Sequence, residues 1–186
     1  MAAEHAVVVL LRAVNVGGNN KLPMAQLREA LTAAGLLNVR TYIQSGNVVC
    51  QSKLAAPKVA ALVQKVIADD FGLQVPTVGL TRAELAEAIA QWPVPAGASP
   101  KALHCIVFEK ALSAEHLALI DTLVAESQAN GSEDFAEAIG RFIYLYTPDG
   151  IGVSKFAPKI SNPKFGGTAR NWNTTNALLE MATNTG

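Results

Sequence analysis

The stretch Ala6-Val7-Val8-Val9-Leu10-Leu11 is a continuous apolar run with no polar residue. Such a run is typical of a strand that is buried on both faces, because a half-buried strand would alternate apolar and polar side chains. It is followed by a polar loop and then by a helical pattern that opens at Pro23 and ends at Gly35. We therefore predict a central strand followed by a helix.

The next elements extend this unit. Two short strand patterns, residues 39–44 and 48–51, meet at Gly46-Asn47, which is a two-residue hairpin signal. A second helix opens at Pro57, and residues 74–80 form one more strand pattern. The order βαββαβ is that of a ferredoxin-like unit with the spatial strand order 4-1-3-2. In that order the first two strands run in the same direction, so the loop that leaves the first strand should lie beside the hairpin tip.

The pattern then begins again after a proline-rich segment. Thr81 and Glu84 form a capping-box pattern, and residues 93–100 can neither continue a helix nor lie inside a sheet. A strand follows over residues 102–108, then a helix capped by Ser113, and then a hairpin about Gly140. A last helix is predicted over residues 169–181, with no closing strand after it.

These patterns predict the fold class α/β (α+β). We expect two ferredoxin-like βαββ(αβ) modules, the second incomplete, with mainly antiparallel sheets and helices on one face. The predicted bounds are residues 1–81 for the first module, 82–100 for a helical and proline-rich connector, and 101–186 for the second module with its C-terminal helix. No residue-level repeat is visible between the two.

Composition limits the classes of function. Fifteen basic and fifteen acidic side chains cancel, which argues against a protein that coats nucleic acid by bulk charge. The charges are unevenly distributed along the sequence. Residues 111–140 contain acidic residues but no Lys or Arg, whereas residues 151–179 contain Lys and Arg but no acidic residue. Either the second segment gives the protein a basic face, or both segments are ordinary solvated surfaces. The N-terminal residues have no basic region and too short an apolar run for a signal or a membrane span, so we predict a cytoplasmic protein without a membrane partner.

Catalytic and metal-binding chemistry has little support. Cys50 and Cys105 each lie in an apolar strand pattern without a CxxC motif, which favours small core residues. The three histidines have no Ser, Cys or carboxylate at an informative spacing. We predict no metal site and no cofactor, and the sequence identifies no catalytic residue.

The loop between the first strand and the first helix is the candidate site. Its glycines allow close approach of the backbone to a ligand, and its other side chains are mostly hydrogen-bond donors. Such donors before a helix N-terminus suit an anion. The loop fits neither GxxxxGK[ST] nor GxGxxG, so no nucleotide fold follows from it. The alternative is a connector in which Gly and Asn serve only the turn conformation. The predicted ligand-binding residues come from this loop and from the adjacent hairpin tip. They are Arg12, Asn15, Gly17, Gly18, Asn19 and Lys21 of the loop, with Ser45 and Asn47 of the hairpin.

Arg170, Asn171 and Asn173, at the start of the last predicted helix, complete the candidate set. Helical spacing would place Arg170, Asn173 and Thr174 on the face opposite Trp172, with Thr168 as N-cap. The alternative is that these side chains only pin the C-terminal helix to the rest of the fold.

A row of aromatic residues offers a further alternative. Phe142, Tyr144 and Tyr146 alternate along one strand, and His104, Ile106 and Phe108 could line the same sheet face. This arrangement invites comparison with the aromatic platform of RNA-recognition modules. In two packed modules, however, such a face is more often buried against a neighbour.

Three blocks of sequence together resemble a known bacterial family. They are Leu10-Leu11-Arg12 with Asn15-Val16-Gly17-Gly18-Asn19, then Thr41-Tyr42-Ile43-Gln44-Ser45-Gly46-Asn47-Val48-Val49, and Thr168-Ala169-Arg170-Asn171-Trp172-Asn173-Thr174. They resemble the domain-of-unknown-function family numbered 1697, over nearly the whole chain. The resemblance implies cytosolic α/β proteins with ferredoxin-like modules and no established activity. Family members usually have Gly in place of Ala13 and Lys in place of Ala177, so a charge contributed at the latter position would be missing here.

Three functions remain open at this stage. The first is a binding module for the phosphate or carboxylate of a nucleotide, a nucleic acid or a metabolite. The second is an enzyme acting on a phosphorylated small molecule, in which Lys21 or Arg170 stabilises developing charge. The third is an oligomeric scaffold, for example a homodimer, whose polar blocks only fix the geometry of the modules.

Overall fold

A computed structural model of the chain describes residues 3–17 and 20–185. Its contacts divide the chain into two compact units, of which unit 1 contains Met1–Glu87 and Ala177–Gly186 and unit 2 contains Ala88–Asn176. The bounds of the two modules and the connector, taken from the sequence, stay a prediction. The two compact units are groups of residues in contact, and such groups need not fold independently. Gly18 and Asn19, two of the predicted site residues, lie outside the described residues.

Unit 1 contains a four-stranded antiparallel sheet in the order β2-β3-β1-β4. Its strands are β1 (His5–Leu11), β2 (Leu37–Tyr42), β3 (Asn47–Ser52) and β4 (Thr77–Thr81). β1 is central and pairs antiparallel with both β3 and β4. Since β2 also pairs antiparallel with β3, the strands β1 and β2 run in the same direction. The predicted strand order is confirmed.

Three helices begin in this unit, namely α1 (Met24–Ala33), α2 (Ala56–Phe71) and α3 (Arg82–Ala90). Pro23 is the extended N-cap of α1 and not its first helical residue. The capping box of α3 is confirmed, since the Thr81 N–H donates to Glu84 Oε2 at 2.8 Å and the Glu84 N–H donates to Thr81 Oγ1 at 3.2 Å. This reciprocal bonding satisfies donors that a helix start leaves open.

The core of unit 1 lies between the sheet and α1 and α2. Val7, Val9 and Leu11 of β1 belong to a buried cluster with residues of both helices. Val8 and Leu10, which alternate with them, are buried as well. The central strand is therefore buried on both faces, as its uninterrupted apolar run predicts.

The hairpin between β2 and β3 differs from the prediction. Tyr42 pairs with Asn47 in the ladder, so the connection is residues 43–46 and not a two-residue turn at Gly46-Asn47. Asn47 is the buried first residue of β3, and its Nδ2 donates to the carbonyl oxygen of Tyr42 at 2.9 Å. Ile43 and Gly46, at the two ends of this longer loop, both have positive φ.

Unit 2 contains a second four-stranded antiparallel sheet, in the order β6-β7-β5-β8. Its strands are β5 (Leu103–Val107), β6 (Phe135–Ile139), β7 (Phe142–Tyr146) and β8 (Thr168–Asn171). Residues 169–171 were predicted to be helical, with no closing strand, and this is wrong. They form the edge strand that pairs with β5, with Val107 opposite Thr168 and His104 opposite Asn171. Pairing with β5, a strand distant in the sequence, overrides the local helical pattern.

The helices of unit 2 are α4 (Ala114–Ala129) and the short α5 (Ala157–Ile160), while α6 (Trp172–Thr183) begins here and continues into unit 1. Ser113 caps α4, as predicted, by accepting from the His116 N–H at 3.2 Å. The fold class is confirmed as mixed α/β with two similar four-stranded sheets. Unit 2 is incomplete in its helical layer and not in its sheet, because the 4-residue α5 stands where unit 1 has the 16-residue α2.

Candidate functional site

The loop that leaves β1 and the tip of the β2–β3 hairpin lie together at one end of the unit 1 sheet. The Leu11 N–H donates to the carbonyl oxygen of Gly46 at 2.8 Å, and Asn15 Nδ2 donates to the carbonyl oxygen of Gln44, also at 2.8 Å. The proximity predicted from the strand order is therefore confirmed. We call this surface the Arg12 rim; it consists of residues 12–17, 20, 21 and 43–47.

Asn15 holds the rim together from inside. Besides its bond to Gln44, its Nδ2 donates to the carbonyl oxygen of Leu22 at 3.0 Å, and its Oδ1 accepts from the Leu22 N–H at 2.9 Å. Both amide hydrogens and the amide oxygen are thus engaged within the protein. We assign Asn15 a positioning role, since its side chain is occupied without a ligand.

Left-handed backbone shapes the loop. Ala13, Asn15 and Asn20 have φ of 56°, 53° and 47°. Asn20 Nδ2 donates to the carbonyl oxygen of Ala13 at 3.0 Å, and the Asn15 N–H donates to the carbonyl oxygen of Asn20 at 3.1 Å. Asparagine tolerates this conformation better than other side chains, which explains its frequency here.

Arg12 is the cation of the rim that lacks a full set of partners. Arg12 as a whole is half-buried, but its Nη1 atom is fully buried and has no hydrogen-bond partner among the described residues. Its backbone N–H donates to the carbonyl oxygen of Pro76 at 3.0 Å, so the side chain starts from a fixed point beside β4. An unpaired buried donor on a charged group is costly, and an anion would offset that cost.

The sequence around the rim has few acids to pair with it. Between residues 5 and 68 the single acidic residue is Glu29, which is exposed on α1, whereas the same range holds seven Lys and Arg residues. Lys21, within the rim itself, is exposed. Lys21 thus adds positive charge to a rim in which the buried Nη1 of Arg12 has no hydrogen-bond partner among the described residues, and this favours an anionic ligand.

The hairpin side of the rim is tightly packed. A Cβ on Gly46 would lie 2.3 Å from Val14 Cγ2 and 2.8 Å from Leu11 Cβ. Asn47 Nδ2 also lies 3.5 Å from Ser45 Oγ, and Ser45 is half-buried. Asn47 therefore shapes the hairpin from a buried position, and a ligand-binding role for it or for Ser45 stays a prediction.

Arg170, Asn171 and Asn173 lie in unit 2, where β8 meets α6. Arg170 Nη1 donates to the carbonyl oxygen of Ala169 at 2.7 Å, and burial lowers the pKa of Arg170 to about 10. Asn171 caps α6, because its Oδ1 accepts from the Thr174 N–H at 2.8 Å, and Thr168 is a strand residue instead of the cap. Thr174 is buried, so its predicted outward orientation is wrong, whereas Asn173 is exposed. A ligand shared between these residues and the Arg12 rim stays a prediction.

The aromatic row on β7 does not form an open platform. The register pairs Cys105 with Tyr144 and Ile106 with Ile143, so His104, Ile106 and Phe108 lie on the face opposite the aromatic row. The Tyr144 hydroxyl donates to the carbonyl oxygen of Ala88 at 2.9 Å, and the Trp92 ring lies 5.3 Å from the Tyr144 ring. Because Tyr144 is only 1% exposed, RNA bases could not stack on it.

The cysteines and histidines give no catalytic arrangement. Cys50 and Cys105 are buried, as predicted, and burial raises the pKa of each thiol to about 12. Burial lowers the pKa of His104 and of His116, and His116 stacks on Phe165 with ring centroids 4.1 Å apart. The described residues contain no group of three or more His, Cys, Asp or Glu side chains that could hold a metal ion. No helix within the described ranges is long and apolar enough to cross a bilayer.

The comparison with protein families gives a clear match. A family model described as "Protein of unknown function (DUF1697)" matches residues 5–141, which include the Arg12 rim. The chain belongs to this family. A solved structure with a similar fold is that of the conserved bacterial protein SP0830 from Streptococcus pneumoniae, with a TM-score of 0.65 and 19% sequence identity over 97% of this chain and 99% of that one. No curated protein matches the chain.

Ala13 has a backbone conformation that suits glycine. Its φ is 56° and its side chain is exposed. Glycine adopts this conformation without the steric cost that a Cβ adds. Glycine would thus fit the backbone geometry of this position better than the alanine found here.

Two residues of the rim were not singled out from the sequence. The sequence pattern places Ile43 in a strand over residues 39–44 and Val16 in the polar loop after the first strand. Both are exposed in the structure, and Ile43 has a φ of 51°. No local sequence signal marks a β-branched residue for left-handed backbone, so this conformation is evident only in the folded chain.

Proposed function

We propose that the protein binds a phosphate-bearing ligand, such as a nucleotide or a nucleic acid, at the Arg12 rim. The observation that carries this proposal is the buried Arg12 Nη1 atom without a hydrogen-bond partner among the described residues. Buried donors on native proteins are almost always paired, so this one is explained by a ligand that accepts from it. Lys21, the second cation of the rim, is exposed and supports the same conclusion.

Ligand-induced stabilisation tests the proposal. The melting temperature is measured with increasing inorganic phosphate and with a nucleoside monophosphate, for the wild-type protein and for Arg12→Ala. A ligand at about 100 times its Kd stabilises the folded state by about 2.7 kcal/mol. For a chain of this size that corresponds to a rise in Tm of about 5 to 10 °C. We expect the rise in the wild type and not in Arg12→Ala.

Two comparisons make the result specific. Arg82→Ala removes an exposed arginine at the start of α3, and this variant should respond to ligand as the wild type does. Without ligand, Arg12→Ala should melt no lower than the wild type, because it removes an uncompensated buried donor. A large loss of stability in ligand-free Arg12→Ala would show that Arg12 is structural and would overturn the proposal.

A further inference from the structure

The Arg12 rim carries two exposed aliphatic side chains. Val16 is 61% exposed and Ile43 is 50% exposed, which makes them the most exposed of the large hydrophobic residues described in unit 1. Single exposed aliphatic residues are common on protein surfaces. Here, however, both lie in the same rim as Arg12, whose buried Nη1 has no hydrogen-bond partner among the described residues, and each lies in a different segment of that rim.

One hydrogen bond joins the chain neighbours of these two residues. Asn15 Nδ2 donates to the carbonyl oxygen of Gln44, Val16 is the next residue after Asn15, and Ile43 is the residue before Gln44. The two aliphatic residues thus flank, along the chain, the contact that joins the loop to the hairpin. The rim therefore combines a cationic group with two exposed apolar side chains, one in each of its segments.

Ile43 has a backbone conformation that its side chain disfavours. Its φ is 51°, and a β-branched residue at positive φ is a genuine outlier that costs free energy. Asparagine or glycine would adopt the same conformation with less strain. Because the side chain is half exposed, packing inside the protein accounts for only part of its presence, and outliers of this kind cluster at ligand contacts.

We propose that the ligand of the Arg12 rim is an organic phosphate with an apolar group next to the phosphate, and that Ile43 and Val16 contact this group. This inference rests on the proposed function, since it takes the anion-binding role of Arg12 as given. Covering the two side chains removes apolar surface from water, which favours such a ligand over inorganic phosphate. The expected preference is about tenfold in Kd, which corresponds to about 1.4 kcal/mol.

Calorimetric titration of the full chain tests this inference with three probes. They are inorganic phosphate, phenyl phosphate and butyl phosphate, so the two organic probes distinguish an aromatic from an alkyl group. We expect both organic phosphates to bind more tightly than inorganic phosphate, and the tighter of the two to identify the kind of apolar group. The preference should fall to less than threefold in Ile43→Asn.

The variants are chosen so that the fold is preserved. Asparagine tolerates left-handed backbone, so Ile43→Asn keeps the shape of the hairpin tip. The matched control is Val153→Asn, which removes a 70% exposed aliphatic side chain in unit 2 and should keep the full preference. Circular dichroism on each variant confirms that the comparison is between folded proteins.

The possible failures are distinguishable. If the wild type binds the three probes equally, the inference is wrong and the proposed function stands. Full retention of the preference in Ile43→Asn and in the double variant Val16→Ser with Ile43→Asn would also overturn the inference. If none of the probes binds, both the inference and the proposed function fail.

Discussion

The side-chain amide of Asn15 donates to the carbonyl oxygen of Gln44 at 2.8 Å, across 29 residues of sequence. The same amide also exchanges two hydrogen bonds with the backbone of Leu22. One side chain thus joins the end of β1, the start of α1 and the β2–β3 hairpin. The shape of the Arg12 rim depends on this residue.

Replacement of Asn15 by alanine should lower the free energy of unfolding by about 2 kcal/mol. The variant leaves the N–H and the carbonyl oxygen of buried Leu22 without their partner, and an unsatisfied buried group costs about 1 to 3 kcal/mol. The carbonyl oxygen of Gln44 is exposed and bonds to water instead. Chemical denaturation measures the change. Asn15→Gly adopts a φ of 53° without strain, so a similar loss in that variant would assign the effect to the amide and not to the backbone. Wild-type stability in both variants would contradict the role given to Asn15.

Replacement of Ala13 by glycine should stabilise the protein by about 0.5 kcal/mol. Alanine at a φ of 56° costs about 1 to 2 kcal/mol, which exceeds the entropy that glycine adds to the unfolded chain. Denaturant midpoints at constant m-value report the gain. Ala61→Gly, at an exposed position inside α2, is the opposite-sign control and should cost about 1 kcal/mol. A loss of stability in Ala13→Gly would show that the left-handed conformation is not strained.

Gly46 should tolerate alanine less well than Gly35. Both have left-handed φ, of 84° and 93°, so a Cβ strains the backbone at either position. At Gly46 that atom would also lie 2.3 Å from Val14 Cγ2, whereas at Gly35 it meets nothing within 4 Å. We expect Gly35→Ala to cost about 1 kcal/mol and Gly46→Ala about 3 kcal/mol, from thermal or chemical unfolding. Equal losses would mean that the hairpin tip moves away from the β1 loop at little cost.

The buried thiols predict a loss of stability at high pH. The pKa of Cys50 and of Cys105 is raised by burial from 9.0 to about 12, so each thiol stays neutral in the folded protein while the unfolded chain loses its proton. The contribution of the two neutral thiols to the free energy of unfolding is therefore fully present below pH 9 and is lost as the pH rises from 9 toward 12. Denaturation from pH 8 to 10.5 should show a steeper decline in the wild type than in a Cys50→Ala, Cys105→Ala variant.

Thiol reactivity gives an independent measurement of the same burial. A disulfide reagent at pH 8 should modify neither cysteine in the folded protein and both after denaturation, because the thiolate is the reactive form and both side chains are buried. Rapid labelling of either cysteine in the native protein would contradict the burial seen here.

Several features of the fold follow from local sequence. The apolar run of β1, the Thr81–Glu84 capping box and the Ser113 cap are each present in the structure as predicted. The strand order of unit 1 also follows from the order of the elements, since a βαββαβ chain has few compact arrangements. These features depend on side-chain periodicity and on hydrogen bonds between residues a few positions apart.

Only the tertiary structure decided the strand β8, the buried position of Asn47, the hydrogen bonds of Asn15 and the burial of one Arg12 nitrogen. Thr168–Asn171 has a helical pattern in sequence, but its backbone pairs with β5. The composition of the loop shows donors, but it does not show that Asn15 is already engaged while a buried Arg12 nitrogen has no partner among the described residues. The physical reason is that each hydrogen-bonding group takes the partner that the folded chain brings to it, and these partners lie far away in the sequence.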